Sequence, residues 1–120
     1  MDLKLDKRSP VYIQVIDYFK QRIASGQMEI GEEMPSRREL ANQLKINPNT
    51  VQKAFRGMEE LGLIITEGNL PSRVTDNQVI IKQLKNELVS DAVDEFVQTV
   101  KAINMPVEDV IELIKDKYEE

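Results

Sequence analysis

A mainly α (α+β) fold, three helices closed by a short hairpin and followed by a two-helix tail, is what this sequence predicts, on three observations. Apolar residues recur at spacings of three and four through five stretches, the pattern of helices with one buried side. Serine, asparagine, proline or glycine stands at the ends of those stretches, where helices start and stop. Two short β-prone runs, Leu63-Ile64-Ile65-Thr66 and Arg73-Val74-Thr75, flank the turn-rich tip Glu67 to Ser72.

In chain order, residues 1–8 are charged and aperiodic and read as an arm. Ser9 and Pro10 stand as N-cap and first helical residue of a helix with the stripe Val11, Tyr12, Val15, Ile16, Phe19 and Ile23, and Gly26 stops it. The stretch from Gln27 to Met34 contains Gly31 and precedes Pro35, so it reads as an irregular crossing with one short strand. From Pro35 to Gly62 two helices are expected, joined by a turn of about three residues. Ser36 and Glu39 form a capping box, in which the hydroxyl takes a backbone N–H and the carboxylate reaches back. Leu40, Ala41 and Leu44 are the apolar face of that helix. Asn47 caps the second helix with Pro48 at its first position; Val51, Ala54, Phe55, Met58 and Leu61 are its buried side, and Gly62 its left-handed stop. With the hairpin, this is a winged helix-turn-helix domain over residues 1–77, ahead of a tail over 78–120.

In the tail, Ile81, Leu84, Leu88, Ala92, Phe96 and Val100 form one stripe, widened by Val89, Val93 and Val97. Asn104-Met-Pro106 breaks the chain, and Val107, Val110, Ile111, Ile114 and Tyr118 mark the last helix. Two helices cannot bury such faces against each other alone, so a self-associating surface is expected, with packing back onto the first domain as the alternative.

Composition narrows the chemistry. The chain has no cysteine and no histidine, which removes disulfides, thiolate chemistry, the usual zinc sites and histidine acid–base catalysis. No catalytic residue, metal or cofactor is implied. Apolar runs reach only three residues and the N-terminus lacks a signal-peptide core, so no membrane span is expected and the cytoplasm is the expected location. The net charge of −5 is unevenly spread: residues 1–77 hold 11 bases and 11 acids, residues 78–120 hold 5 and 10. Between Ser36 and Arg56 five bases, Arg37, Arg38, Lys45, Lys53 and Arg56, face the single acid Glu39.

The second helix of the pair opens with Asn47-Pro-Asn-Thr-Val-Gln52, amides and a hydroxyl of the kind that read base edges in a major groove. A solvated polar helix is the plainer account of the same residues. Three functional classes stay open on the residues alone: a DNA-binding regulator, a protein-interaction module on the same scaffold, and an enzyme. For the last, Glu32-Glu33 and Glu59-Glu60 are the available acid pairs, but neighbours on a helix point to different sides, and solvation is their expected role. A small-molecule sensor is a possible added function, although two tail helices are too little to enclose a pocket of ~300 Å³.

The run from Val11 to Thr66 resembles the DNA-binding domain of GntR-superfamily transcription regulators. The signals are Tyr12 and Ile16, Ala24-Ser-Gly26, Gly31 before Met34-Pro-Ser36, Arg38-Glu-Leu-Ala41, Asn47-Pro-Asn-Thr-Val-Gln52 and Glu60-Leu-Gly-Leu-Ile64. The short two-helix tail is similar to that of the YtrA-like branch. The resemblance implies a homodimeric repressor that binds an inverted-repeat operator in double-stranded DNA through the helix 48–61, dimerises through 78–120, and regulates genes that often encode transporters. It implies Arg38 as a base-reading or phosphate-clamping arginine and places Asn47, Asn49, Thr50 and Gln52 on the groove-facing turn. Lys53 and Arg56 are expected on phosphate; Arg37 and Arg73 complete the expected DNA-binding set. At the wing the sequence departs from the family pattern of a basic, glycine-flanked tip. Glu67, Gly68 and Leu70 stand at the basic positions, Pro71 at a glycine and Arg73 at the aromatic.

Overall fold

The computed structural model describes residues 2–120; Met1 lies outside the described residues. Five helices and one hairpin follow in the order α1 (Val11–Ala24), α2 (Arg37–Leu44), α3 (Pro48–Glu60), β1 (Ile64–Ile65), β2 (Arg73–Val74), α4 (Gln78–Ala102) and α5 (Val107–Tyr118). This is the mainly helical winged architecture with a helical tail that the sequence predicts.

Packing separates the chain into one unit up to Lys85 and another from Asn86 onward. In the first unit, Val15, Ile16, Phe19 and Ile23 of α1 meet Val51, Ala54, Phe55 and Met58 of α3 in the core, with Leu40 and Ala41 of α2 closing it. Leu63, Ile64 and Val74 bring the hairpin into that core, and Met28 and Met34 fill it from the crossing segment. Burying such side chains stabilises a fold by roughly 1.5–3 kcal/mol each, the unfolded chain being the reference. Leu84 is also buried, and Ile80 lies against Gly62, so the unit includes the first two turns of α4, past the hairpin's end near Asn77.

Four local expectations are corrected. Pro10, not Ser9, occupies the N-cap of α1, and no side chain caps that end. The capping box of α2 is half formed: Ser36 Oγ accepts from the Glu39 N–H at 3.1 Å, while the Glu39 carboxylate takes the Ser36 hydroxyl rather than a backbone N–H. Leu61 is 51% exposed, because it is the C-cap of α3 and the chain turns away there. The strand expected between Gln27 and Met34 is a single bridge, Glu33 to Arg73, supported by Val74 N–H to the Glu32 carbonyl and Met34 N–H to the Ser72 carbonyl.

In the second unit, Asn104 adopts φ 57° and ends α4 in a left-handed turn, with Met105 N–H bonded to the Val100 carbonyl. Of its apolar side chains only Val110 is buried; Val89, Val93, Ile111, Leu113 and Ile114 are exposed. The second unit by itself therefore leaves most of its aliphatic surface uncovered.

Candidate nucleic-acid interface

The site begins with the turn between α2 and α3. Lys45 takes the left-handed conformation, φ 54° and ψ 48°, and lets Ile46 N–H reach back to the Ala41 carbonyl at 3.1 Å. Nothing in the sequence marks this position, since lysine carries a Cβ penalty there that glycine avoids. Two residues later Asn47 Oδ1 accepts the Asn49 N–H at 2.8 Å and starts α3. The cap uses the amide oxygen of Asn47 and leaves its amide nitrogen for other partners.

From this start the helical period sorts α3 into two faces. Val51, Ala54, Phe55 and Met58 are buried, whereas Asn49, Gln52, Lys53 and Arg56 are exposed at spacings of three and four, and Thr50 is half-buried between them. A Cβ on Gly57 would come within 2.8 Å of Ile16 Cδ1, so α1 and α3 approach closely there. One turn toward the helix starts, Lys53 Nζ stands 4.1 Å from the centre of the Tyr12 ring, a cation–π contact that orients this lysine along α1.

The two arginines at the start of α2 part company. Arg38 is exposed and has no ion-pair partner among the described residues. Arg37 lies over the Phe55 ring at 4.6 Å and bonds Glu59 Oε1 at 3.1 Å, with its Nε buried and unpartnered. Glu59 also accepts from the Thr66 hydroxyl at 3.4 Å, and Thr66 shares a 2.6 Å hydrogen bond with Ser72 across the root of the wing. Glu59, expected only to be solvated, is therefore the point where α2, α3 and the hairpin meet. Its partner lies 22 positions away, a separation that no local pattern reports.

Arg73 sits apart from the α3 stripe in its contacts. Its guanidinium bonds Glu33 Oε1 at 3.4 Å and the Gly31 carbonyl at 3.3 Å, tying β2 to the crossing segment. The wing beyond it is a tight turn, with Leu70 N–H on the Glu67 carbonyl and Gly68 at φ 56°. The structure thus brings Asn47, Asn49, Thr50, Gln52, Lys53 and Arg56 onto one end and face of α3, and engages Arg37 and Arg73 elsewhere.

Among the described residues no group of acids could hold a metal ion, and no helix is long and apolar enough to cross a membrane. A groove of about 870 Å³ runs in the first unit between the end of α1, Met28 to Ile30 and the first turns of α4.

Residues 11–74, the helices and hairpin just described, match the family of bacterial regulatory proteins called gntR. The chain belongs to the GntR family. It is 31% identical over 115 residues to the uncharacterized HTH-type transcriptional regulator YhcF of Bacillus subtilis (strain 168), covering 96% of this chain and 95% of that protein. To the HTH-type transcriptional repressor YtrA of the same organism it is 35% identical over 101 residues, 75% of this chain and 78% of that one. The solved structure of a GntR family transcriptional regulator from Listeria monocytogenes superposes with a TM-score of 0.87 at 29% identity, over 93% of this chain and 98% of the other. This GntR-family chain is a DNA-binding transcriptional regulator of the helix-turn-helix type, and not an enzyme.

Proposed function

We propose that this regulator is a homodimeric repressor that reads an inverted-repeat operator with the first turns of α3. The observation that carries the reading is the exposed stripe Asn49, Gln52, Lys53 and Arg56, opposite a fully buried Val51, Ala54, Phe55 and Met58. Carboxamides at the tip of a helix offer paired donors and acceptors to an adenine edge, while Lys53 and Arg56 supply charge to phosphate. Arg38, on the first turn of α2, is exposed and free of any intramolecular ion pair among the described residues, which leaves its guanidinium for base edge or phosphate. Arg37 and Arg73 serve in this reading as supports, the first for α2 on α3 and the second for the wing, and Asn47 contributes at most its amide nitrogen.

Dimerisation falls to the tail, residues 78–120, whose aliphatic side chains are exposed along both helices. A two-fold dimer places two copies of α3 about one helical turn of DNA apart, or a multiple of it, and so requires an inverted repeat. Repression follows by occlusion of the promoter, and the likeness to a protein named a repressor supports that sign. The test is a gel shift with the DNA upstream of the protein's own gene, across a salt series and against unrelated competitor. Binding that survives competitor and falls steeply with salt is expected. Absence of a shift at micromolar protein would overturn the reading in favour of a protein-interaction module.

A further inference from the structure

The arm ahead of α1 is the charged feature that the recognition helix leaves unused, and it lies outside the residues that match the family. It is held in place. Gln14, on the first turn of α1, donates from Nε2 to the carbonyls of Ser9 at 2.7 Å and Asp6 at 2.9 Å, and accepts the Asp6 N–H at 3.0 Å. Leu3 and Leu5 are half-buried while Asp2, Lys4 and Asp6 are exposed, the alternation of an extended segment lying along a surface. The clamped turn presents Lys7 and Arg8, both exposed, the Arg8 side chain at 91%.

Its location follows from how α1 and α3 lie together. Tyr12 is under Lys53 and Ile16 is against Gly57, four residues further along each helix, so the two helices run with the same polarity and start at the same end. That end of α3 carries Asn49 and Gln52. Four steps of chain separate Arg8 from Tyr12, so the Cα of Arg8 lies within about 14 Å of the residue that stacks under Lys53, and the arm is tied to the start of α1 through Gln14. A strand of DNA advances only about 3.4 Å per phosphate, so long cationic side chains on an arm tied to the start of α1 have a run of several phosphates within reach. The wing, with Glu67 and Leu70 at its tip, offers no such charge.

We propose that residues 4–8 form a second phosphate-binding element, with Lys7 and Arg8 on the sugar–phosphate backbone flanking the groove that α3 enters. This rests on the proposed role of α3 in the major groove. Asp6 opposes it by pairing with Arg8 at 3.3 Å, but both side chains are solvated, and a phosphate competes readily for an exposed arginine of this kind. Asp6 then works as a brake on the element, and Gln14 as the residue that positions it.

The experiment is fluorescence anisotropy of the full chain with a duplex from upstream of its own gene and with an unrelated duplex, over a range of salt, with thermal unfolding followed in parallel. The double variant Lys7→Ala, Arg8→Ala should weaken binding to both duplexes by the same factor and flatten the slope of log K against log salt by about 0.9 for each phosphate no longer neutralised. Asp6→Asn should tighten binding to both duplexes. Gln14→Ala should weaken both although it removes no charge. Unchanged affinity and slope in the double variant, with Lys53→Ala still weakening binding, would overturn the arm's role. So would a weakening confined to the upstream duplex, because phosphate contacts carry no sequence preference. Failure of the unaltered protein to bind either duplex would instead strike the proposed role of α3.

Discussion

At the scale of single residues, exposed carboxamides and exposed cations on α3 make different kinds of contact and should fail differently. Asn49→Ala or Gln52→Ala is expected to cost about 1–3 kcal/mol of operator affinity and to relax preference at particular base pairs, read by profiling each variant against a randomised site. Arg56→Ala should weaken binding to every sequence and lower the salt slope by about one unit, with preference unchanged. Arg37 belongs to neither class. Its guanidinium is committed to Phe55 and Glu59, so Arg37→Ala should lower the unfolding free energy by about 1–2 kcal/mol in a urea titration, the size of a partly buried cation–π contact with its ion pair. Sequence alone does not separate Arg37 from Arg38, because neighbours on a helix are distinguished only by what the rest of the fold sets against each. Lys45 is the reverse case: its left-handed φ is a local strain without a local signal, and Lys45→Gly should raise stability by about 1 kcal/mol.

At the scale of elements, the wing is short and tied internally. Its strands are two residues each, its root is stitched by Thr66 and Ser72, and Arg73 is turned onto Glu33 and Gly31. Pro71 stiffens the tip and Glu67 repels phosphate, so entry into a narrow minor groove is disfavoured. Leu70→Ala should change operator affinity by less than about 0.5 kcal/mol, and Glu67→Arg should tighten binding to specific and unrelated DNA alike. Minor-groove methylation protection beside each half-site, abolished in Leu70→Ala, would show that the tip inserts. The helices before the wing were legible in the sequence because a helix is written locally, in its caps and its period. The crossing from Gln27 to Met34 was legible as irregular chain but not in its pairing, because a single β-bridge depends on a partner 40 residues away.

For the whole molecule, the distribution of exposed aliphatic surface sets the expected assembly. Truncation after Lys85 keeps the buried Leu84 and the Ile80 contact with Gly62, and should give a folded monomer. Its operator affinity should fall by a factor of at least about 100, since linking two binding modules raises avidity by roughly 10²–10⁴. Sedimentation of the full-length chain as a monomer at micromolar concentration would remove the dimer and the inverted repeat together.

The sequence by itself determined the class of fold, the start and stop of the three domain helices within a residue or so, and which side of α3 faces water. These depend on interactions between residues at most four or five apart, and asparagine, proline and glycine announce them. Tertiary structure alone decided the partners: Arg37 with Glu59, Arg73 with Glu33, and the core places of Met28 and Met34. Those contacts join side chains whose separation in sequence has no period. Lys7 and Arg8 look like any solvated charges until the fold fastens their turn to the start of α1 through Gln14, on the helix whose Tyr12 and Ile16 meet Lys53 and Gly57 of α3.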